Sequence, residues 1–160
     1  MKKSNYLFGL LVLFTTCLVS ACGSNTSTTE PVVKTTHGIV KGTYQDTVFA
    51  FKGIPYAKAE RFQTPQDPEK WNDTLACENF GPVAKQIVAW IPDSTMDEKN
   101  LFSVNVWTQG LKDKKKRPVM VWLHGGGFFV GSSNDPMTYG EAMAKKGDIV
   151  FVSVNHRLNI

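Results

Sequence analysis

Val119-Met120-Val121-Trp122-Leu123, an unbroken apolar run behind Pro118, leads directly into His124-Gly125-Gly126-Gly127-Phe128. Apolar residues bounded in this way by a proline and a glycine cluster fit a strand covered on both faces. Ile149-Val150-Phe151-Val152-Ser153-Val154 repeats the pattern. Between the two, residues 139–146 carry helix-favouring Ala, Met, Glu and Lys, with lysines in the last turn and Gly147 at the C-cap position. Strand, glycine loop, helix and buried strand make a βαβ unit, so the fold class is α/β with an at least partly parallel sheet.

Phe102-Ser103-Val104-Asn105-Val106-Trp107 reads as a further strand, and residues 32–56 alternate short β-prone runs with turn residues, as a small N-terminal antiparallel meander does. Between Pro55 and Pro92 no period of 2 or 3.6 is sustained, which predicts long loops with short helical turns. After Val154 only Asn155 to Ile160 remain. The expectation is a sheet left unfinished after its early strands, with the far side of the Ile149 strand unpaired. Such an edge invites aggregation, so the 160-residue chain alone is not expected to form a stable monomeric domain.

The N-terminus has Lys2 and Lys3, an apolar run from Tyr6 to Phe14, and Ser20-Ala21 before Cys22. This is the layout of a signal peptide over residues 1–21. A transmembrane span is the competing reading, but the apolar core is shorter than the ~20 residues that spanning needs. Val19-Ser20-Ala21-Cys22 has the form of a bacterial lipobox, which makes Cys22 the lipidated first residue of the mature chain. A plain cleavage site with Cys22 incidental is the alternative. Residues 22–31 then form a flexible, Ser/Thr/Asn-rich tether, and residues 32–160 the folded part. The expected location is the bacterial cell envelope with a membrane as partner, or the periplasm or exterior if Cys22 is unmodified.

Formal charge is +4, with much of the basic excess in residues 112–117. No aromatic residue interleaves that run, so it reads as a solvated connection and not as a nucleic-acid patch. Of three cysteines, Cys77 alone lies in the folded part, and His37, His124 and His156 are too dispersed for metal-ligand spacing; no metal or cofactor is expected.

Three consecutive glycines cost conformational entropy and suit a place where bare backbone must aim N–H groups at an anion. For a dinucleotide phosphate, Val130 stands where the last glycine is required, and no Gly-Lys-Ser/Thr follows. The oxyanion of acyl transfer fits better, since a His-Gly-Gly-Gly loop after a strand is a known source of such donors. A loop that only makes a tight turn is the remaining reading. Gly131-Ser132-Ser133-Asn134-Asp135 is not a nucleophile elbow, because Asp135 replaces the second glycine and no buried strand leads into it.

Phe51-Lys52-Gly53-Ile54-Pro55-Tyr56-Ala57, Arg61-Phe62, Trp71, Asn105-Val106-Trp107, the Pro118 to Phe128 segment, Gly131-Ser132 and Asn155-His156-Arg157-Leu158 together resemble, in order, motifs of the type-B carboxylesterase (cholinesterase-like) family. The resemblance covers the chain from about Gly38 onward and implies an α/β-hydrolase fold. It implies that Gly126 and Gly127 supply oxyanion-hole donors, that Phe128 and Phe129 line the acyl pocket, with simple packing as the alternative role for the two phenylalanines, and that His124 holds the loop by hydrogen bonding. The family's serine, acid and histidine would all lie beyond residue 160, so this chain by itself is expected to be inactive. A small-molecule ester is the implied substrate. The alternatives are a noncatalytic cholinesterase-like surface binding protein and a gene fragment without function. Ala84 and Asn100 occupy the places of the family's early loop cysteines, Lys58-Ala59-Glu60 shortens a loop, and His156 and Asn159 replace a common tyrosine and glycine. These departures leave the disulfide in doubt and the substrate preference open.

Overall fold

The computed structural model describes residues 30–91 and 95–159; the expected signal peptide, Cys22 and nearly all of the tether lie outside them. Two hairpins open the described chain, β1 (Val32–Lys34) with β2 (Ile39–Lys41) and β3 (Thr43–Gln45) with β4 (Val48–Pro55). The second closes through Asp46 and Thr47, both left-handed with φ of 49° and 70°, the backbone a two-residue hairpin turn demands. After them come β5 (Thr74–Ala76), β6 (Ser103–Thr108), β7 (Val119–Leu123), α1 (Glu141–Gly147) and β8 (Val150–Val154).

The strands divide into a three-stranded sheet ordered β1-β2-β5 and a five-stranded sheet ordered β3-β4-β6-β8-β7. The single meander expected for residues 32–56 is therefore split: its first hairpin belongs to the small sheet and its second to the large one. Packing accounts for the division, because Val40 of β2 is buried against Phe49 and Phe51 of β4 together with Cys77. Both β5 and its parallel pairing with β2 fall in the stretch read as loops; three residues are too few to show a period.

In the large sheet, β8 lies between β6, to which it is antiparallel, and β7, to which it is parallel. The expectation of an unpaired far side on the Ile149 strand is thus incorrect, and among the described residues the edge on that side of the sheet is β7, with β3 at the other. The expected cover over β7 is also absent from them. Val119 and Leu123 are each 63% exposed and Trp122 42%, because α1 reaches only the inner strands. Ala144 of α1 is buried with Trp107 of β6 and Phe151 of β8, which sit opposite each other in register. Burial of such side chains contributes roughly 1.5–3 kcal/mol each and fixes the helix on this face.

The helix ends one residue later than expected. Gly147 is its last residue, and Asp148 takes the left-handed cap position at φ 46°. The Asp148 carboxylate accepts hydrogen bonds from Arg117 Nε at 2.6 Å and Lys115 Nζ at 3.3 Å. Arg117 also grips Asp113 at both oxygens, 3.0 and 2.7 Å, and its guanidinium holds both carboxyls below the usual range. The basic run before β7 is accordingly solvated at Lys115 but anchored at Arg117, whose side chain is only 7% exposed.

Two buried asparagines join the sheet to the loops above it. Asn105 Oδ1 accepts the Gly53 N–H at 2.8 Å at the bulge in β4, and Nδ2 donates to Ser133 Oγ (3.0 Å) and Ser153 Oγ (3.1 Å). Asn155 Oδ1 accepts from the Ser133 N–H (2.8 Å) and the Ser132 hydroxyl (3.3 Å), and Nδ2 donates to Asn134 Oδ1 (2.9 Å). Its carbonyl accepts the Tyr56 hydroxyl at 2.9 Å.

Asn105→Ala strands the Gly53 N–H and unpairs two buried hydroxyls. In the protein expressed from its complete reading frame it is expected to lower unfolding free energy by about 3 kcal/mol, since each buried group left unpaired costs roughly 1–3 kcal/mol. Urea titration measures this, and a loss under ~1 kcal/mol would mean the network is dispensable.

Candidate functional site

The chain leaves β7 at Leu123 and turns sharply through the glycines. Gly126, Gly127 and Phe128 have φ of 121°, 61° and 63°. Phe129 and Val130 donate their N–H groups to Gly126 O at 3.0 and 3.2 Å, whereas the glycines donate no backbone hydrogen bond within the described residues. A Cβ on Gly126 would stand 1.8 Å from Val130 O, so a side chain there is incompatible with this turn. The result is a short run of bare backbone whose N–H groups make no backbone hydrogen bond among the described residues. Phe128 and Phe129 are 68% and 70% exposed beside it.

His124 and His156 lie beneath the turn, stacked with ring centroids 4.3 Å apart and planes 5° from parallel. His124 Nδ1 is 2.8 Å from Gly125 O and His156 Nδ1 is 2.9 Å from Arg157 O, so each ring carries a proton on Nδ1. Burial holds the His124 imidazole below the ordinary histidine range. Its bond to Gly125 O acts in the opposite direction, and His156 adds to the lowering. The Phe128 carbonyl accepts the Asn159 N–H at 2.8 Å, tying the turn to the strand-end segment that holds His156.

Where the loop leaves the turn, Gly131 (φ 113°) is so close that a Cβ there would stand 2.4 Å from Gly125 O and 2.5 Å from His124 Nδ1. Gln86 meets this residue from a distant loop: Oε1 accepts the Gly131 N–H at 2.7 Å, and Nε2 donates to Gly131 O at 3.0 Å. Ser132 and Ser133 are buried in the asparagine network, in a loop and not on an elbow. An open cavity of about 1090 Å³ starts at Gly131 and Ser132 and extends past Phe80, Val83 and Trp90. Gly126, Gly127, Phe128 and Phe129 are not part of its lining.

The sequence pattern locates the glycine turn and His124, and the structure brings both together with His156. It offers no signal for Gln86, and none for Asn105 and Asn155 beyond their membership of motifs. Cys22 lies outside the described residues.

A mixed sheet in which a strand, glycine turn, helix and parallel strand are followed by insertion of the last strand into the sheet interior is an α/β-hydrolase arrangement. The chain belongs to the carboxylesterase family, whose sequence profile matches residues 29–160. It is 35% identical over 138 residues to the para-nitrobenzyl esterase of Bacillus subtilis, covering 81% of this chain and 28% of that protein. Among solved structures it is similar to a Geobacillus stearothermophilus carboxylesterase (40% identity, TM-score 0.73, 82% of this chain and 27% of that one). It is likewise similar to a Clostridium hathewayi esterase described as hydrolysing aliphatic aromatic polyesters (38% identity, TM-score 0.75, 83% of this chain and 28% of that one). The chain therefore spans little more than a quarter of the length of these relatives.

Because the folded state disfavours charged His124, the unfolded state takes up the proton first as pH falls. The stability tied to a neutral His124 is present above the ordinary histidine pKa of about 6.5 and is lost as pH drops through the lower folded value. Urea midpoints of wild type and His124→Asn, taken from pH 7.5 to 5, are expected to converge on acidification. Parallel curves would remove His124 from the pH dependence.

Proposed function

We propose that the protein hydrolyses carboxylic esters through a serine acyl-enzyme, with the Gly126 and Gly127 N–H groups donating to the oxyanion of the tetrahedral intermediate. The observation that carries this reading is the turn at the end of β7, which leaves those N–H groups unused by its own hydrogen bonding. When an ester carbonyl is attacked, its oxygen gains a full negative charge. A fixed donor aimed at that oxygen stabilises the transition state by about 3 kcal/mol. Family membership supports the same chemistry.

The serine, acid and histidine are assigned to sequence beyond residue 160, in keeping with the share of the relatives that this chain spans. Among the described residues β7 pairs only with β8, which leaves its other side as a place for further strands to pair. Phe128 and Phe129, exposed beside the turn, are assigned to the acyl side of the site, and small aryl or alkyl esters are the proposed substrates. The complete reading frame is expected to encode a Gly-x-Ser-x-Gly and its product to hydrolyse p-nitrophenyl acetate. Gly126→Ala is expected to lower kcat by roughly 100- to 1000-fold. An in-frame stop, a replaced serine or a fully active variant would each overturn the proposal.

The lipobox-like Val19-Ser20-Ala21-Cys22 supports export and attachment to a membrane of the cell envelope through lipid on Cys22. Labelled palmitate is expected to enter the wild-type protein and not Cys22→Ser, and the variant is expected to leave the membrane fraction. Equal labelling of both would refute the anchor.

A further inference from the structure

The structure assigns Gln86 as a positioning residue for the oxyanion loop, an inference that rests on the role proposed for Gly126 and Gly127. The side-chain amide of Gln86 forms a two-point clamp on one backbone residue 45 positions away, accepting the Gly131 N–H at 2.7 Å and donating to Gly131 O at 3.0 Å. Gln86 is only 7% exposed and Gly131 is half-buried, so solvent competes little for the side-chain half of the pairing. A second bond from Nε2 to Ala84 O at 3.2 Å sets the orientation of the amide, which otherwise rotates about its last torsion.

Gly131 is the place from which displacement of the glycine turn would follow. It is in van der Waals contact with the chain at Gly125 and with the His124 ring, close enough that even one methyl group would collide with both. On its far side the chain is fastened to the sheet, through the Ser133 N–H to Asn155 Oδ1 at 2.8 Å. Between that anchor and the turn, the Gln86 amide hydrogen-bonds both the N–H and the carbonyl of Gly131 itself. Its own loop is held independently, since the Lys85 N–H donates to Glu98 Oε1 at 2.7 Å and the Val83 N–H to Thr95 O at 3.0 Å. Gln86 therefore transmits the position of one loop to the N–H groups of another without touching the substrate.

A positioning role differs from a merely structural one in what it changes. Donors displaced by a fraction of an ångström still admit the planar ester but meet the tetrahedral oxyanion poorly, so kcat falls while KM holds. Gln86→Met keeps length and bulk without either hydrogen bond, and Gln86→Glu keeps the acceptor for the Gly131 N–H while losing the donor to Gly131 O. The test uses the protein from its complete reading frame, with p-nitrophenyl acetate as substrate and an aryl trifluoromethyl ketone as a ligand that becomes tetrahedral on binding. Gln86→Met is expected to lose about 10- to 100-fold in kcat with KM within twofold, and to bind the ketone weaker by the same factor. Gln86→Glu is expected to fall between it and wild type, and supplies the comparison should the methionine variant not fold. Wild-type kcat and ketone affinity in a folded variant, or a rise in KM alone, would overturn the role of Gln86 while leaving the esterase reading intact. A wild-type protein that hydrolyses no ester would overturn that reading, and this inference with it.

Discussion

The buried amide of Asn105 is the interaction on which the rest of this architecture depends. A polar side chain with no exposure must satisfy both its oxygen and its nitrogen inside the protein, and Asn105 does so with three partners from three separate segments. One is the β4 bulge, one is the neighbouring strand β8, and one is the loop that follows the glycine turn. Hydrophobic contacts would tolerate small shifts among these segments, since burial is not directional. Hydrogen bonds of 2.8–3.1 Å do not, so the register of β4, β6 and β8 and the course of the loop are set together. Asn155 extends the same logic by one residue beyond β8 and draws Tyr56 and Asn134 into it.

Above this network the glycine turn is a costly piece of backbone. Gly126 and Gly127 take positive φ with no side chain to obstruct it, but Phe128 at φ 63° is a bulky residue in a region that costs of order 1–3 kcal/mol. Its neighbours offset that cost: the Phe128 carbonyl accepts the Asn159 N–H, and its ring lies 5.9 Å from that of His156. The stacked histidines add a flat platform below the turn. Burial of the His124 ring in this stack disfavours its charged form.

Much of this was legible in the sequence, for reasons that also explain what was not. The run Val119–Leu123 forms a strand with those bounds, because Pro118 and the glycines end it chemically. What the run cannot reveal is its place in the sheet. Apolar residues on both faces are compatible with a central strand or with an edge awaiting partners, and β8 takes the inner position because α1 carries the chain back over β6. The sequence pattern puts the left-handed cap of α1 at Gly147 because glycine is the usual residue there, whereas here two cationic side chains favour Asp148 in that position. At the site, Gly126 and Gly127 stand out because consecutive glycines are informative, while Gln86 is one glutamine in an aperiodic loop. Its meaning appears only when folding brings it against Gly131.

The loops over the strand ends are held by a second set of contacts that share residues with the first. Glu98 accepts Arg61 Nη1 at 2.7 Å with one oxygen and the Lys85 N–H at 2.7 Å with the other, and its side chain is only 18% exposed. Arg61 Nη2 is 3.4 Å from Asn159 O, and Asn159 in turn donates to Phe128 O. An exposed ion pair would contribute little, but a carboxylate this sheltered that accepts from both a guanidinium and a backbone amide has a narrow choice of positions. The turn is thereby approached from two directions, through Gln86 at its exit and through Asn159 at Phe128, and both routes start beside Glu98. Where a turn is held on loops above a rigid sheet, such cross-bracing gives otherwise flexible backbone a defined position.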